Sequence, residues 1–364
     1  MGGRNRSAGT RHNAGHGGLT PVRIAIATDA WSPQVNGVVR TLQSVRAELE
    51  RQGHQVLVIS PEHFYSMPCP TYPEIRLAFA RTSSVGKMLA DFNPHAIHLA
   101  TEGPICLAAR RWCLSRDFPF TTAYHTQFPD YVSARTGIDP GWIWRYITWF
   151  HWPAQAVLAS TASIARTLRT HGLNKIRHWG RGVDLSIFGP HITPDPAIRA
   201  LGGPIQLYVG RVAIEKNIEA FLEASVPGVK VIVGDGPARA TLEAKYPEAH
   251  FLGPKFGADL AAAYAAADVF VFPSKTDTFG LVMIEALASG VPVAAFPVTG
   301  PIDVVKADIG AMDDDLNVAI AAALTRDRAA CAAYGRTFTW EASARQFLEA
   351  LAPIQLDDDE AMAA

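Results

Sequence analysis

Two doubly wound α/β halves joined by a linker are predicted by three features of the 364-residue chain. Short apolar runs of strand length alternate with helical stripes, and glycine- and proline-rich turns separate them. The alternation then occurs a second time, which calls for two parallel sheets facing across a cleft. Composition agrees: 48% hydrophobic and 18% charged residues describe a globular chain with a sizeable core.

The first half opens with RIAIATDA (23–30), an apolar run followed by the turn-prone WSPQVNG. In VVRTLQSVRAELERQG, apolar residues at 38, 42, 45 and 49 form one helical stripe, closed by Gly53. QVLVIS (55–60) is the next strand, so strand, glycine loop, helix and strand make a βαβ unit. AIHLA (96–100) and FTTAYH (120–125) read as further strands, each ending in a polar turn.

Proline and glycine accumulate in GVDLSIFGPHITPDP (182–196), where the linker falls. The second set of strands is QLYVG (206–210), KVIVG (230–234), HFLG (250–253), VFVFP (269–273) and VPVAAFP (291–297). Helical segments lie between them, IEAFLEAS and LAAAYAAA included. The expected divisions are a disordered tail (1–21), a first domain (22–183), a second (184–335) and a C-terminal helix (336–356) packing back towards the first.

A net charge of −1 gives no reason to expect nucleic acid as a partner. Four cysteines without metal-ligand spacing predict a reduced protein with no zinc site. No apolar stretch reaches the roughly 18 residues of a spanning helix. The first 20 residues are basic, lack an apolar core segment and do not read as a secretory signal; a weak tether to anionic lipid is the alternative to a floppy tail. The terminal LDDDEAMAA reads as a solvated acidic end.

Candidate ligand-binding residues gather at strand ends. Gly210, Arg211 and Lys216 follow QLYVG, the GDGP turn follows KVIVG, and SKTDTFG follows VFVFP. The first half contributes Asn36-Gly37, Glu102-Gly103 and His125. Gly280 lets the backbone approach a ligand, and the helix starting at Leu281 points free N–H groups and its positive end at the loop. With Arg211 and Lys216, this suits a diphosphate.

Glu285 is the only charged residue in LVMIEALAS, and burying it is costly unless several donors satisfy it. Ribose hydroxyls would do so; a structural ion pair or a solvent-facing position is the alternative. Asp277, eight residues earlier, either reaches sugar hydroxyls or caps the helix. His125 and Asp29 read equally as satisfied core residues, and His98 as structural. Asp313, Asp314 and Asp315 precede a helical stretch and read as capping charges, so no metal site is expected. GWIWRYITWFHWPA (141–154) holds four of the eight tryptophans. It reads either as packing between the halves or as an aromatic face at a membrane surface, with Arg110, Arg111, Lys87 and Arg81 as further positive charge.

In this order and spacing, NGVVRT, YHTQFPDYVSAR, GVDLSIF, VGRVAIEKN, GDGP, AAADVFVFPSKTDTFGLVMIEALASGVPV and FTWEAS resemble a family 4 retaining glycosyltransferase of the GT-B fold, over about residues 22–350. The resemblance implies transfer of a hexose from a UDP- or GDP-linked donor to a hydroxyl, without metal or other cofactor. Arg211 and Lys216 would hold the diphosphate, Glu285 the ribose, and His125 the donor sugar. Gly37 and Gly210 would sit against the donor, as would the backbone of Phe279, Gly280 and Leu281. Asp277 replaces the first glutamate of the family's pair, and Thr299-Gly300-Pro301 replaces its Gly-Gly turn. The branch resembled contains bacterial lipid glycosyltransferases and mannosyltransferases. That implies a lipid acceptor such as diacylglycerol and a cytoplasmic enzyme peripheral on the inner face of the cytoplasmic membrane. The alternatives are a soluble transferase for a polysaccharide or small glycoside, and an inactive nucleotide-sugar-binding protein.

Overall fold

The computed structural model describes residues 21–34, 36–69, 72–125 and 139–351. The basic N-terminal segment, most of YHTQFPDYVSAR and the acidic C-terminal end lie outside the described residues. In the first half, β1 (Arg23–Ala27), α1 (Gly37–Arg51) and β2 (Gln55–Ile59) form the βαβ unit. A hairpin of β3 (Ser66–Cys69) and β4 (Tyr72–Ala78) follows. Next come α2 (Thr82–Phe92), β5 (Ala96–Leu99), α3 (Pro104–Leu114), β6 (Thr121–Tyr124), α4 (Pro140–His151), β7 (Ala156–Ala159), α5 (Ala162–Thr170) and β8 (Ile176–His178). The parallel sheet runs β2-β1-β5-β6-β7-β8.

The second half repeats the plan with β9 (Ile205–Val209), α6 (Ile218–Glu223), β10 (Val229–Val233), α7 (Arg239–Lys245), β11 (His250–Gly253), α8 (Gly257–Ala266) and β12 (Val269–Phe272). It continues through α9 (Leu281–Ala288), β13 (Val293–Ala295), β14 (Gly310–Met312), α10 (Leu316–Ala323), α11 (Arg328–Gly335) and α12 (Trp340–Ala350). Its sheet runs β11-β10-β9-β12-β13-β14, again all parallel. Both faces of such sheets carry helices, so central strands such as β9 and β12 are buried at every residue. That is why they read as continuous apolar runs.

The chain passes between the halves twice, at residues 179–184 and 338–340, and the passages touch through a Val183–Thr339 bridge. A Cβ on Gly182 would lie 2.4 Å from the Trp340 backbone nitrogen, so only glycine lets them approach. Helix α12 packs on α1 of the first half. Ser343 there accepts the Trp179 indole N–H (3.1 Å) and donates to the Gly180 carbonyl (2.9 Å). Val183 and Phe188, in the segment read as linker, are buried in the core of the second half.

Several elements have no counterpart in the sequence reading. β7 is only four residues and is separated from α4 by four residues, and β8 and β14 are three residues each. The β3–β4 hairpin stands apart from both large sheets. The aromatic segment forms α4, with Ile147, Phe150 and His151 packed inward; Trp142, Trp149 and Trp152 face outward rather than towards the other half. Asp315 caps α10 by accepting the Asn317 N–H at 2.9 Å.

His98 is fully buried, with Nδ1 2.9 Å from Thr121 Oγ1 and its ring edge-on to Trp179 and Phe347. Burial, with His151 nearby, pushes its pKa down to about 3. It is therefore neutral in the fold, whereas its unfolded counterpart takes a proton below about pH 6.5. Stability supplied by neutral His98 is present above that pH and is lost as pH falls towards 3, by about 1.4 kcal/mol per pH unit. Between pH 7 and 5, urea unfolding of His98→Gln is expected to lose about 2 kcal/mol less than that of the wild type, the full slope being reached only well below pH 6.5.

Candidate active site

In doubly wound sheets, ligands bind where strand order reverses, beyond the carboxyl ends of the two strands that flank the reversal. Here those pairs are β1/β5 and β9/β12. The loop after β9 carries Gly210, Arg211 and Lys216; the loop after β12 carries Asp277, Phe279 and Gly280. Asn217 ties the two together by donating from Nδ2 to the Pro273 carbonyl at 3.1 Å. Lys216 Nζ then meets both Asp277 oxygens, at 2.7 and 2.9 Å. Arg211 is half-buried in the same loop, and its carbonyl accepts the Tyr208 hydroxyl at 2.8 Å.

Asp277 does not cap α9. Gly280 holds the N-cap position, with φ +83°, and a Cβ there would come within 2.9 Å of Met283 Cε and 3.0 Å of Phe272 Cζ. A side chain is thus excluded by both conformation and space. The turn delivers Leu281 and the start of α9 to the seam, where a Cβ on Gly37 would lie 3.6 Å from Leu281 Cδ1. Asn36 caps α1 by accepting the N–H groups of Val38 and Val39, both at 3.0 Å. The starts of α1 and α9 therefore lie beside one another. The Phe279 ring is buried in the second-half core, leaving its backbone to serve the loop.

Glu285 is buried inside α9, and protein groups supply its donors: Arg40 Nη2 at 2.5 Å and the Tyr264 hydroxyl at 3.0 Å. Burial raises the Glu285 pKa, while Arg40 and Tyr264 pull it back. An ion pair thus already accounts for the buried carboxylate, without calling on ribose hydroxyls. Arg40 belongs to NGVVRT, and Tyr264 is the lone polar side chain of LAAAYAAA; neither has a local period that advertises its partner.

His125 follows β6 and is buried at the seam. Its carbonyl accepts the Thr278 hydroxyl of the second half at 2.6 Å, and its Nδ1 lies 3.1 Å from Arg181 Nη2. Burial, and then Arg181, His98 and His151, push its pKa well below the usual histidine value. Ser160 Oγ donates to the Thr278 carbonyl (3.3 Å), and the Ser163 N–H donates to Asp303 Oδ1 (3.1 Å). The structure therefore joins Gly37 with Leu281, Lys216 with Asp277, and His125 with the Thr278 turn. Asp29 is a support: its carboxylate accepts the Ile105 N–H (2.8 Å) and the Thr101 hydroxyl (2.9 Å), fixing the loop that bears Glu102.

A family model described as "Glycosyltransferase Family 4" matches residues 35–187, and one described as "Glycosyl transferases group 1" matches residues 203–326. The GDP-mannose-dependent alpha-mannosyltransferase of Mycolicibacterium smegmatis is 34% identical over 308 residues, 78% of this chain and 82% of that protein. The chain belongs to glycosyltransferase family 4. The alpha-monoglucosyldiacylglycerol synthase of Streptococcus pneumoniae is 27% identical over 313 residues, 75% of this chain and 71% of that protein. Among solved structures, sucrose-phosphate synthase from Thermosynechococcus elongatus has a similar fold, with TM-score 0.69, 22% identity and coverage of 94% of this chain and 100% of that one. The two facing parallel sheets are the GT-B fold, and the protein is a retaining glycosyltransferase.

In this family 4 enzyme, Arg40→Met would leave the Glu285 carboxylate buried with only the Tyr264 hydroxyl. Because Arg40 is 42% exposed, the expected loss is smaller than for a fully buried pair, about 1–3 kcal/mol in urea unfolding. Adding Glu285→Gln should recover part of it; a loss in the double variant equal to the sum of the two single losses would mean that the pair is not coupled.

Proposed function

We propose that the enzyme moves mannose from GDP-mannose to a hydroxyl of a membrane lipid, diacylglycerol or a glycolipid built on it, at the cytoplasmic face of the cytoplasmic membrane. The observation that carries the donor site is the convergence of Arg211, Lys216 and Asp277 from the β9 and β12 loops opposite Gly37 and His125 of the other half. The choice of GDP-mannose draws on the 34% identical mannosyltransferase, and the choice of lipid on the diacylglycerol synthase.

In this reading, Arg211, Lys216 and the start of α9 stabilise charge on the departing diphosphate. The bond between the anomeric carbon and the phosphate oxygen breaks, and the acceptor oxygen bonds on the same face. The acceptor proton passes to the departing phosphate, so no protein nucleophile is needed. Glu285 takes the ribose hydroxyls alongside Arg40, and Asp277 and His125 hold the sugar. Positioning both substrates across the seam supplies the remainder of the acceleration.

The outer face of α4 suits the lipid surface. Trp142, Trp149 and Trp152 are 65%, 49% and 66% exposed, and Trp149 and Trp152 line an open groove of about 870 Å³ together with Arg110, Leu114 and Arg145. Arg145 lies 4.7 Å over the Trp142 ring, and Arg110 lies 4.0 Å over Trp149. Tryptophan with arginine is the composition favoured at bilayer interfaces. No helix among the described residues is long and apolar enough to cross a membrane, so contact would be from one side.

Thermal unfolding with GDP, UDP and ADP tests the donor: GDP alone should stabilise, by about 2.7 kcal/mol at 100 times its dissociation constant. Lys216→Ala should lower kcat/KM with GDP-mannose by about 10²–10³. GDP binding without turnover on any lipid extract would instead favour a nucleotide-sugar-binding protein. Replacing Trp142, Trp149 and Trp152 together by alanine should weaken sedimentation with anionic vesicles by about 100-fold. Unchanged sedimentation would remove the lipid-facing role of α4.

A further inference from the structure

We propose that Arg181 is a positioning residue that fixes the tautomer of His125, so that Nε2–H is a permanent donor to an oxygen of the bound donor sugar; the sugar as recipient rests on the reading above. Arg181 lies where the chain leaves the first half, and it is 7% exposed. Nη1 donates to the carbonyls of Trp179 (2.7 Å) and Gly180 (3.2 Å), and Nη2 faces His125 Nδ1 at 3.1 Å. No carboxylate pairs with this guanidinium among the described residues.

A guanidinium has donors and no acceptor. The nitrogen it faces must therefore present a lone pair, and the one proton of a neutral His125 ring resides on Nε2. Nε2 is buried and has no hydrogen-bond partner among the described residues. An unsatisfied buried N–H is costly, which makes this atom the place where an oxygen of a ligand is missed. His125 is also prevented from taking a second proton: Arg181 stands on one ring nitrogen, His98 and His151 are close, and the ring is enclosed. His178 is a further neighbour of Arg181 and feels its charge.

The segment that carries Arg181 also joins the halves, so a purely structural role is the competing account. Nitrogen-15 NMR of the imidazoles separates the two. His125, one of 12 histidines, is assigned by the signal lost in His125→Gln. In the wild type, His125 should be neutral with the proton on Nε2 from pH 6 to 8. In Arg181→Met, the tautomers should mix or reverse. That variant's kcat/KM with GDP-mannose should fall by about 10- to 100-fold, while GDP binds within about twofold of the wild type. Arg181→Lys, which keeps a donor-only cation, should restore the Nε2–H tautomer and most of the turnover.

A wild-type His125 with its proton on Nδ1, or doubly protonated, overturns the proposal. So does an unchanged tautomer in Arg181→Met, whatever happens to turnover. If Arg181→Met does not fold, the wild-type spectrum and Arg181→Lys decide. If the wild type binds no GDP, the donor reading fails separately, and the tautomer still reports on Arg181.

Discussion

A carboxylate inside an apolar helix has to be met by donors, and at Glu285 they come from both halves of the molecule. Arg40 reaches it from α1 and Tyr264 from α8. Such a pair adds little net stability, because desolvating the charges offsets most of their attraction. What it does provide is geometry. With α9 keyed to α1, Gly37 is brought against Leu281, and the starts of both helices lie beside one another. The Thr278 and Ser160 bonds fix the same seam a turn away. The positive helix ends that would hold a diphosphate therefore depend on one acid placed where hydrophobic patterning alone would put an aliphatic residue.

Asp277 illustrates how a departure from a family pattern is absorbed. One methylene shorter than glutamate, it still meets Lys216 through both oxygens, at about equal distances. The pair draws the β9 and β12 loops together, and it also partly neutralises a lysine expected to face the leaving group. In the proposed donor site, such a pair would be a weaker clamp for the donor ground state than a lone lysine, and it would divide as negative charge develops on the phosphate. Interactions that strengthen only at that stage are the ones that raise turnover.

The sequence shows the layer plan clearly because central strands of a parallel sheet, buried on both faces, become unbroken apolar runs. It shows the strand-end loops because glycines and charges interrupt those runs. The shortest and most isolated elements stay hidden: β7 is four residues long just after the aromatic helix, and the β3–β4 hairpin belongs to neither large sheet. Partners are hidden for a different reason. Arg40, Tyr264, Arg181 and Thr278 act on residues far away in the chain, and helical or strand periodicity carries no information about what lies across a domain seam. Glu285 could be recognised as anomalous from its neighbours, yet nothing local distinguishes an arginine partner from a ribose. Asp277 is the opposite case: a helix cap was a fair local reading, and only the left-handed Gly280 turn takes it out of capping position.

Helix α4 connects the seam to the outer surface. On its inner side, His151 joins Thr122 of β6 (2.8 Å) to Glu102 in the β5–α3 loop (3.3 Å). On its outer side, Tyr146 donates to the Glu102 carbonyl at 2.5 Å, and Trp149 packs on Arg110 of α3. The loop bearing Glu102 is thus gripped from two directions, while Asp29 holds it from below through the Thr101 hydroxyl and the Ile105 N–H. A surface that docks through Trp142, Trp149 and Trp152 would therefore be rigidly coupled to the strand ends where an acceptor hydroxyl must arrive. An acceptor at the bilayer surface would then meet the donor at a fixed height and orientation, and positioning of that kind is the contribution the proposed transfer would most require from its protein.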